Sequence, residues 1–281
     1  MSRREFTALS IAAGVAAATN AANATAAEMI DTDVEVSTAD GLCEAALIHP
    51  RKGSWPGIIL FTDVFGLRPT MRDIARRLAA GGFTVLVPNP FYRTTKAPGL
   101  STGLDFNNPR ERAKIDHLRA PLTTDAVMRD STAYVKFLDS HRSMNAKANI
   151  GVVGYCMGGA MTLLAAAANR DRIVAGASLH GGGLVTDKPD SPHLLVRNIK
   201  AQYYFGVAMN DDQRQPDAKH KLAEAFAQAR LPAKIEVYDG CRHGWCVKDM
   251  PALAGKPAIY DEVQAEHAWE ELLSLYRRAE F

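Results

Sequence analysis

Several features that mark other protein classes are scarce in this chain of 281 residues. No block of basic residues is longer than a pair, and the 33 Lys and Arg residues nearly balance the 31 Asp and Glu residues. Nucleic-acid-binding proteins normally carry a basic patch or stripe, so nucleic acid is not an expected partner. The Ala-rich stretch over residues 9–18 is too short and too weakly apolar to cross a bilayer. We therefore expect no membrane association of the mature protein.

Cysteine is also scarce, with four residues, Cys43, Cys156, Cys241 and Cys246. No second cysteine stands close enough to Cys156 for the C-x-x-C motif that a thiol-redox protein would use. Cys241, His243 and Cys246 lack a fourth ligand at a zinc-site spacing, so neither a metal nor any other cofactor is predicted. The sequence leaves open whether one disulfide forms among Cys43, Cys241 and Cys246.

The first 27 residues differ from the rest of the chain. Arg3 and Arg4 precede the Ala-rich stretch, and small residues around position 27 resemble a cleavage site. This order is typical of a bacterial twin-arginine signal peptide. We therefore expect residues 1–27 to direct export to the periplasm or the medium, and residues 28–281 to form one domain. A composition of 47% hydrophobic and 23% charged residues is ordinary for such a globular domain.

Strand and helix patterns alternate along that domain. The sequence predicts strands over residues 34–38, 45–49, 57–61, 83–87, 150–153, 173–179, 201–206 and 233–238. Helices are predicted over residues 71–80 and 122–138, after the 154–159 turn, and around Leu222 and Trp269. This alternation predicts an α/β fold whose mostly parallel sheet is covered by helices on both faces. Residues 89–118 are charged and interrupted by proline, which indicates a surface excursion over a functional site.

The most informative segment is the turn at residues 154–159, which reads GYCMGG between a predicted strand and a predicted helix. A G-x-nucleophile-x-G turn with cysteine as nucleophile is a nucleophile elbow, in which small residues allow a strained backbone and an exposed side chain. The start of a helix also favours a thiolate at Cys156. A buried structural cysteine in a Gly-containing turn is the alternative explanation of this pattern.

Partners for such a nucleophile lie where later strands end. Asp211 and Asp212 follow the strand at 201–206, and His243 follows the strand at 233–238. Reacting groups in these sheets stand at the carboxyl ends of strands. The order nucleophile, acid, histidine is that of the α/β-hydrolase fold. The sequence thus predicts a Cys156, Asp211 and His243 triad, with Asp212 as the alternative acid.

Five segments make the chain resemble the dienelactone hydrolase family of the α/β-hydrolase superfamily. They are residues 62–67, 71–72, 88–93, 154–159 and 238–245, and the resemblance extends over residues 33–281. It implies an α/β-hydrolase fold and a triad of Cys156, Asp211 and His243.

The same resemblance implies roles for five further residues. Asp63 stands where the family usually has a Glu that partners the resting thiol, and the amides of Val64 and Met157 would form the oxyanion hole. Arg93 matches the first of two arginines that bind the carboxylate of acidic lactones in the family. At the second position this chain has Lys248 instead, so recognition of a substrate carboxylate is expected to differ.

The sequence therefore predicts a cofactor-free hydrolase of lactone or ester bonds that works through an acyl-thioester on Cys156. A general esterase acting on aryl or alkyl esters is one alternative. A periplasmic binding or thiol-redox protein without this hydrolytic activity is another, because a fold alone does not fix a function. The expected partner is a small-molecule substrate, and the expected state is a monomer or small homo-oligomer.

Overall fold

A single eight-stranded sheet organises the part of the chain that the computed structural model describes, residues 28–101, 104, 107–250, 259–279 and 281. The predicted signal peptide, residues 1–27, lies outside the described residues. The strands run in the spatial order β1-β2-β4-β3-β5-β6-β7-β8. They are β1 Met29–Thr38, β2 Gly41–Pro50, β3 Gly57–Phe61, β4 Thr84–Pro88, β5 Ile150–Tyr155, β6 Ile173–Leu179, β7 Gln202–Ala208 and β8 Ala233–Tyr238.

Seven α-helices are described, together with a 3₁₀ helix at Pro192–Asn198. They are α1 Pro69–Ala80, α2 Pro109–Arg119, α3 Thr124–Ser140, α4 Gly158–Ala168, α5 Met209–Arg214, α6 Ala218–Ala229 and α7 Glu262–Arg278. β1 pairs antiparallel with β2, and β2 pairs antiparallel with β4, while the other neighbouring strands are parallel. The predicted architecture, a mostly parallel sheet with helices on both faces, is confirmed.

The central strands are apolar throughout because both faces of the sheet are covered. Alternate residues belong to two separate cores: Ile59 and Val152 pack beneath α3, α4 and α6, whereas Ile58 and Val153 pack beneath α1 and α7. All four side chains are fully buried. The two cores hold the central parallel strands in register, so the loops at their carboxyl ends are placed against one another.

The structure adds a helix that the sequence pattern does not predict. Residues 89–118, expected as an irregular surface excursion, contain the start and most of α2. Pro109 begins the helix and the Asn108 side chain accepts a hydrogen bond from the Arg110 amide, which are ordinary features of a helix start. Only Ile115 and Leu118 of α2 are buried. With so few buried apolar residues, α2 lacks the periodic apolar stripe by which a helix is recognised in a sequence.

The turn between β5 and α4 depends on glycine. Cys156 has a positive φ of 51°, a region that L-residues adopt at a cost in free energy. A Cβ atom on Gly154 would lie 2.1 Å from the carbonyl oxygen of Gly158, and one on Gly158 would lie 2.4 Å from that of Phe61 in β3. No real side chain fits at these distances. The chain can therefore reverse sharply here only because both positions lack a side chain.

We expect Gly154→Ala to destabilise the protein, because the added methyl group must displace backbone. Overpacking of this kind costs about 1–3 kcal/mol, and each kcal/mol lowers the Tm of a domain of this size by roughly 2–4 °C. The matched control is Gly182→Ala, since a Cβ at Gly182 meets nothing within 4 Å. Thermal unfolding of both variants tests the prediction, and equal Tm values would contradict it.

Candidate active site

Hydrogen bonds to both its amide and its carbonyl oxygen hold the backbone of Cys156 in its strained conformation. Its amide donates to the carbonyl oxygen of Leu179 at the end of β6, at 3.1 Å. Its own carbonyl oxygen accepts from the amides of Gly159 and Gly182, each at 3.0 Å. These bonds fix the residue at the start of α4, and its partly exposed side chain lines a cleft. The thiol is thus accessible at a position where the backbone cannot relax.

His243 and Asp211 meet next to this thiol. His243 Nδ1 lies 2.6 Å from Asp211 Oδ2, and the His243 amide donates to Asn210 Oδ1 at 2.7 Å. Arg214 donates to the other oxygen of Asp211. The short helix α5 therefore presents both Asn210 and Asp211 to the histidine loop, and Asp211 holds the His243 ring by its Nδ1.

Asp212, the alternative acid, points elsewhere. Both of its carboxylate oxygens accept hydrogen bonds from Lys219 Nζ, at 2.8 and 2.7 Å. Successive residues of a helix point about 100° apart, so Asp211 and Asp212 cannot both face His243. Of the two candidates, the structure places Asp211 at the histidine.

The protonation of His243 is shifted by its surroundings. Burial alone lowers the pKa of its imidazole, but hydrogen bonds to Asp211 and Cys156 outweigh burial and raise that pKa to about 10. The donor atoms of Cys156, His180 and His243 all lie within 4.8 Å of one another. An imidazole of this basicity is well suited to take up the proton of a neighbouring thiol.

His180 is a component of the site that sequence reasoning missed. The His180 ring is completely buried and lies 4.7 Å from the His243 ring in an edge-to-face arrangement. Its φ is 42°, and burial holds its pKa well below the usual range, so the ring is neutral. Because His180 directly follows β6, the rule that active groups stand at strand ends could have identified it.

Asp63 has a different partner from the one expected from the family resemblance. Its carboxylate receives two hydrogen bonds from Arg68, at 2.7 and 2.9 Å, and one from the Phe65 amide at 2.9 Å. Arg68 also binds Asp249. Burial raises the pKa of Asp63, and the guanidinium opposes that rise. A fully buried carboxylate needs such a counter-charge, and Asp63 therefore faces Arg68 instead of the thiol.

The cleft beside the thiol has a volume of about 700 Å³. Val64 and Met157, the two residues predicted to supply the oxyanion hole, both line it together with Cys156. Helix α2 contributes one wall and residues 182–192 contribute another. The Thr124 hydroxyl, at the start of α3, donates to Asp190 at 2.7 Å and ties the second wall to that helix. The remaining lining is largely apolar, from Ile115, Leu122, Val127, Met161 and Leu164.

The two cations predicted to bind substrate do not lie in this cleft. Arg93 donates to both oxygens of Asp130 at 2.8 Å and also binds Asp40, so two carboxylates already satisfy its guanidinium. Lys248 instead lines a separate cavity of about 250 Å³ and lies over the ring of Tyr260. The expectation for both residues is corrected. The cations that line the cleft are Arg112, Arg119 and Lys188.

All four cysteines are free in the structure. Cys43 and Cys241 are buried, and burial raises the pKa of their thiols to about 12 and about 11. Buried thiols of this kind are unreactive. Cys156 is thus the cysteine whose surroundings suit chemistry, since it lines the cleft and lies beside His243.

No helix among the described residues is both long and apolar enough to span a bilayer.

Comparisons with known proteins identify the family of this chain. The family model described as the dienelactone hydrolase family matches residues 43–280. A carboxymethylenebutenolidase of Pseudomonas putida is 30% identical over 182 residues, which cover 63% of this chain and 73% of that protein. Carboxymethylenebutenolidase 1 of Cupriavidus pinatubonensis is 28% identical over 201 residues, 71% of this chain and 80% of that protein.

A solved structure shows the same fold. The dienelactone hydrolase-like promiscuous phosphotriesterase from metagenomic libraries superposes with a TM-score of 0.72 at 18% identity, over 90% of this chain and 99% of that one. The sheet order, the position of the elbow and the match to the family model over most of the domain lead to one assignment. The chain is an α/β-hydrolase-fold hydrolase and belongs to the dienelactone hydrolase family.

Proposed function

We propose that this protein hydrolyses lactone or carboxylic ester bonds through an acyl-thioester formed on Cys156. One observation carries the proposal: a thiol in a strained, accessible turn lies beside His243, whose other ring nitrogen is held by Asp211 at 2.6 Å. A nucleophile, a base and a group that orients the base are the components of covalent acyl transfer. The relatives named carboxymethylenebutenolidase support the substrate class.

The proposed reaction has two stages. With the thiol proton already on His243 Nε2, Cys156 Sγ attacks the acyl carbon, and His243 then gives that proton to the leaving oxygen as the acyl C–O bond breaks. Water next attacks the thioester, His243 accepts the proton of that water, and the acid departs as the C–S bond breaks, which restores Sγ beside protonated His243. In both stages the amides of Val64 and Met157 would stabilise the negative oxygen.

Asp63 then serves the site indirectly. Its contacts with Arg68 and the Phe65 amide define the turn that contains Val64. A fixed turn holds the Val64 amide where charge develops, which is the condition for an effective oxyanion hole. We propose this structural role for Asp63 in place of partnership with the thiol.

The cleft favours a second candidate substrate class. Arg93 is neutralised by Asp130 and Asp40, and Lys248 faces another cavity, so neither can bind a substrate carboxylate at the thiol. Apolar side chains, among them Leu122, Met161 and Leu164, line much of the cleft. Simple aryl or alkyl esters fit such a lining, whereas an acidic lactone would have to place its carboxylate near Arg112, Arg119 or Lys188. A non-catalytic role is disfavoured, because a binding protein has no need of a strained thiol beside a histidine–carboxylate pair.

We expect Cys156→Ala to abolish hydrolysis of an activated aryl ester and Cys156→Ser to keep only a trace, a loss of about 10³-fold or more. The control is Cys43→Ala, which removes a buried thiol outside the cleft. Initial rates on a neutral aryl ester and on a carboxylate-bearing lactone test both substrate classes. Wild-type turnover by a folded Ala variant would refute the nucleophile.

Asp211→Asn and Asp212→Asn form a matched pair that identifies the acid. The first removes the carboxylate that orients His243, so kcat should fall by about 10²–10⁴-fold. The second disturbs only the ion pair with Lys219, so kcat should stay close to that of the wild type. Steady-state kinetics of the two variants decide the matter. Equal losses of kcat, or a larger loss in Asp212→Asn, would contradict the assignment of Asp211 as the acid.

The raised pKa of His243 predicts that the stability of the folded protein depends on pH, and the same pair of variants tests this. Because the pKa of His243 rises from 6.5 to about 10 on folding, protonated His243 stabilises the folded protein below pH 6.5, and this stabilisation disappears as the pH rises through about 10. Asp211→Asn should lower Tm relative to Asp212→Asn most strongly in the acidic part of that range. Thermal unfolding between pH 6 and 10 measures the difference, and a constant or growing gap would contradict the assigned pKa.

We also propose that residues 1–27 direct export to the periplasm or the medium. Paired arginines near the start of the chain, followed by an Ala-rich run and a small-residue segment, support this. Replacing Arg3 and Arg4 by lysine should block export, because a receptor reads the paired guanidinium groups. Intact mass of the periplasmic protein provides the measurement. A product that starts close to Glu28 is expected, and a periplasmic product that retains residues 1–27 would oppose the proposal.

A further inference from the structure

The Cys156 thiol and two neighbouring histidine rings form a set of possible metal ligands that the proposed hydrolysis does not fully use. The sulfur of Cys156 and one ring nitrogen each of His180 and His243 lie within 4.8 Å of one another. The reaction needs Cys156 and His243, but it gives no task to His180. Two imidazoles and a thiolate are also ligands that Zn²⁺ and similar soft divalent cations prefer.

The second observation is that the buried ring of His180 lacks hydrogen-bond partners. Its ring is completely buried, and among the described residues neither ring nitrogen has a hydrogen-bond partner. Buried polar groups are normally hydrogen-bonded, so an imidazole with two unpartnered nitrogens needs an explanation. Its neighbours include the rings of Tyr155, His243 and Trp245. One nitrogen faces the Cys156 and His243 donors closely enough to join them as a ligand.

We propose that Cys156, His180 and His243 form an inhibitory binding site for a soft divalent cation of the Zn²⁺ type. Zinc bound at about 2.3 Å to sulfur and about 2.0–2.1 Å to nitrogen needs donors roughly 3.3–3.7 Å apart. The observed separations are at most 4.8 Å, so the donor set closes when the partly buried Cys156 and His243 side chains move toward the buried His180 ring. A water or a substrate oxygen from the cleft, which Cys156 lines, would complete a tetrahedral set.

The Asp211 carboxylate makes His243 a prepared ligand. Metal-binding histidines usually donate their other ring N–H to a carboxylate, which fixes the ring and increases its basicity. His243 Nδ1 already lies 2.6 Å from Asp211 Oδ2, so Nε2 is the nitrogen available to the cation. The proton shared by Cys156 and His243 leaves to solvent as the metal–sulfur and metal–nitrogen bonds form, and no atom changes oxidation state.

Bound cation would stop hydrolysis, because the nucleophile and the base would both be ligands. This consequence rests on the proposed function, whereas the binding itself does not. Export would make the site accessible to extracellular zinc. The protein would then be active only where free zinc is below the dissociation constant of the site.

Cobalt provides a probe that is independent of catalysis. Co²⁺ titrated into the wild-type protein should give a thiolate-to-metal charge-transfer band that saturates at one equivalent per chain, and Zn²⁺ should displace it. Cys156→Ser should lose the band. His180→Phe should weaken Co²⁺ binding by about 10–100-fold. Because φ at His180 is 42°, His180→Asn is a second variant, since asparagine tolerates this region better than phenylalanine.

The matched control is His220→Phe, which replaces an exposed histidine of α6. It should bind Co²⁺ like the wild type, and circular dichroism identifies the His180 variants that are folded. The proposal is overturned if wild-type protein shows no thiolate band, or if a folded His180 variant binds as tightly as the wild type. A zinc-binding protein that hydrolyses no ester would refute the proposed function alone. An esterase that is insensitive to zinc would refute this inference alone.

Discussion

The left-handed backbone at Cys156 is the constraint to which the rest of the site is fitted. Strain of this kind costs about 1–3 kcal/mol and persists only where surrounding structure determines it. Here β6 supplies a hydrogen-bond acceptor to the Cys156 amide, the start of α4 and Gly182 supply donors to its carbonyl, and glycines allow the start of α4 to approach β5 and β3 closely. The thiol is consequently placed by the central sheet instead of by a long loop.

Charge near the site is organised by pairing. Arg68 lies between the carboxylates of Asp63 and Asp249 on one side, and Arg93 lies between those of Asp40 and Asp130 on another. An unpaired charge at such buried positions would be strongly unfavourable. The three-membered group also joins the turn that contains Val64 to the segment that follows His243, so two parts of the site are held in one relative position.

The parts of the structure that follow periodic rules could be predicted from the sequence. Apolar runs, glycine spacing and strand-end positions predict the strands, the elbow and the histidine loop. Cys156, Asp211 and His243 lie together at the ends of the strands for which those patterns predict them. Charged side chains were less predictable. Arg93 fits a motif, but its actual partners, Asp40 and Asp130, come from distant parts of the chain. Asp63 pairs with Arg68. No local sequence pattern reveals which of several carboxylates and cations will pair in the folded structure.

The walls of the cleft and the reacting groups are carried by different parts of the chain. The walls come from α2 and from residues 182–192, two stretches far apart in sequence that contain neither the nucleophile nor the acid nor the base. Insertions or substitutions there can alter the shape and charge of the cleft while the strands that carry the reacting groups stay untouched. Proteins with this fold can thus change their substrate through substitutions in one wall at a time, while the catalytic residues stay in place throughout.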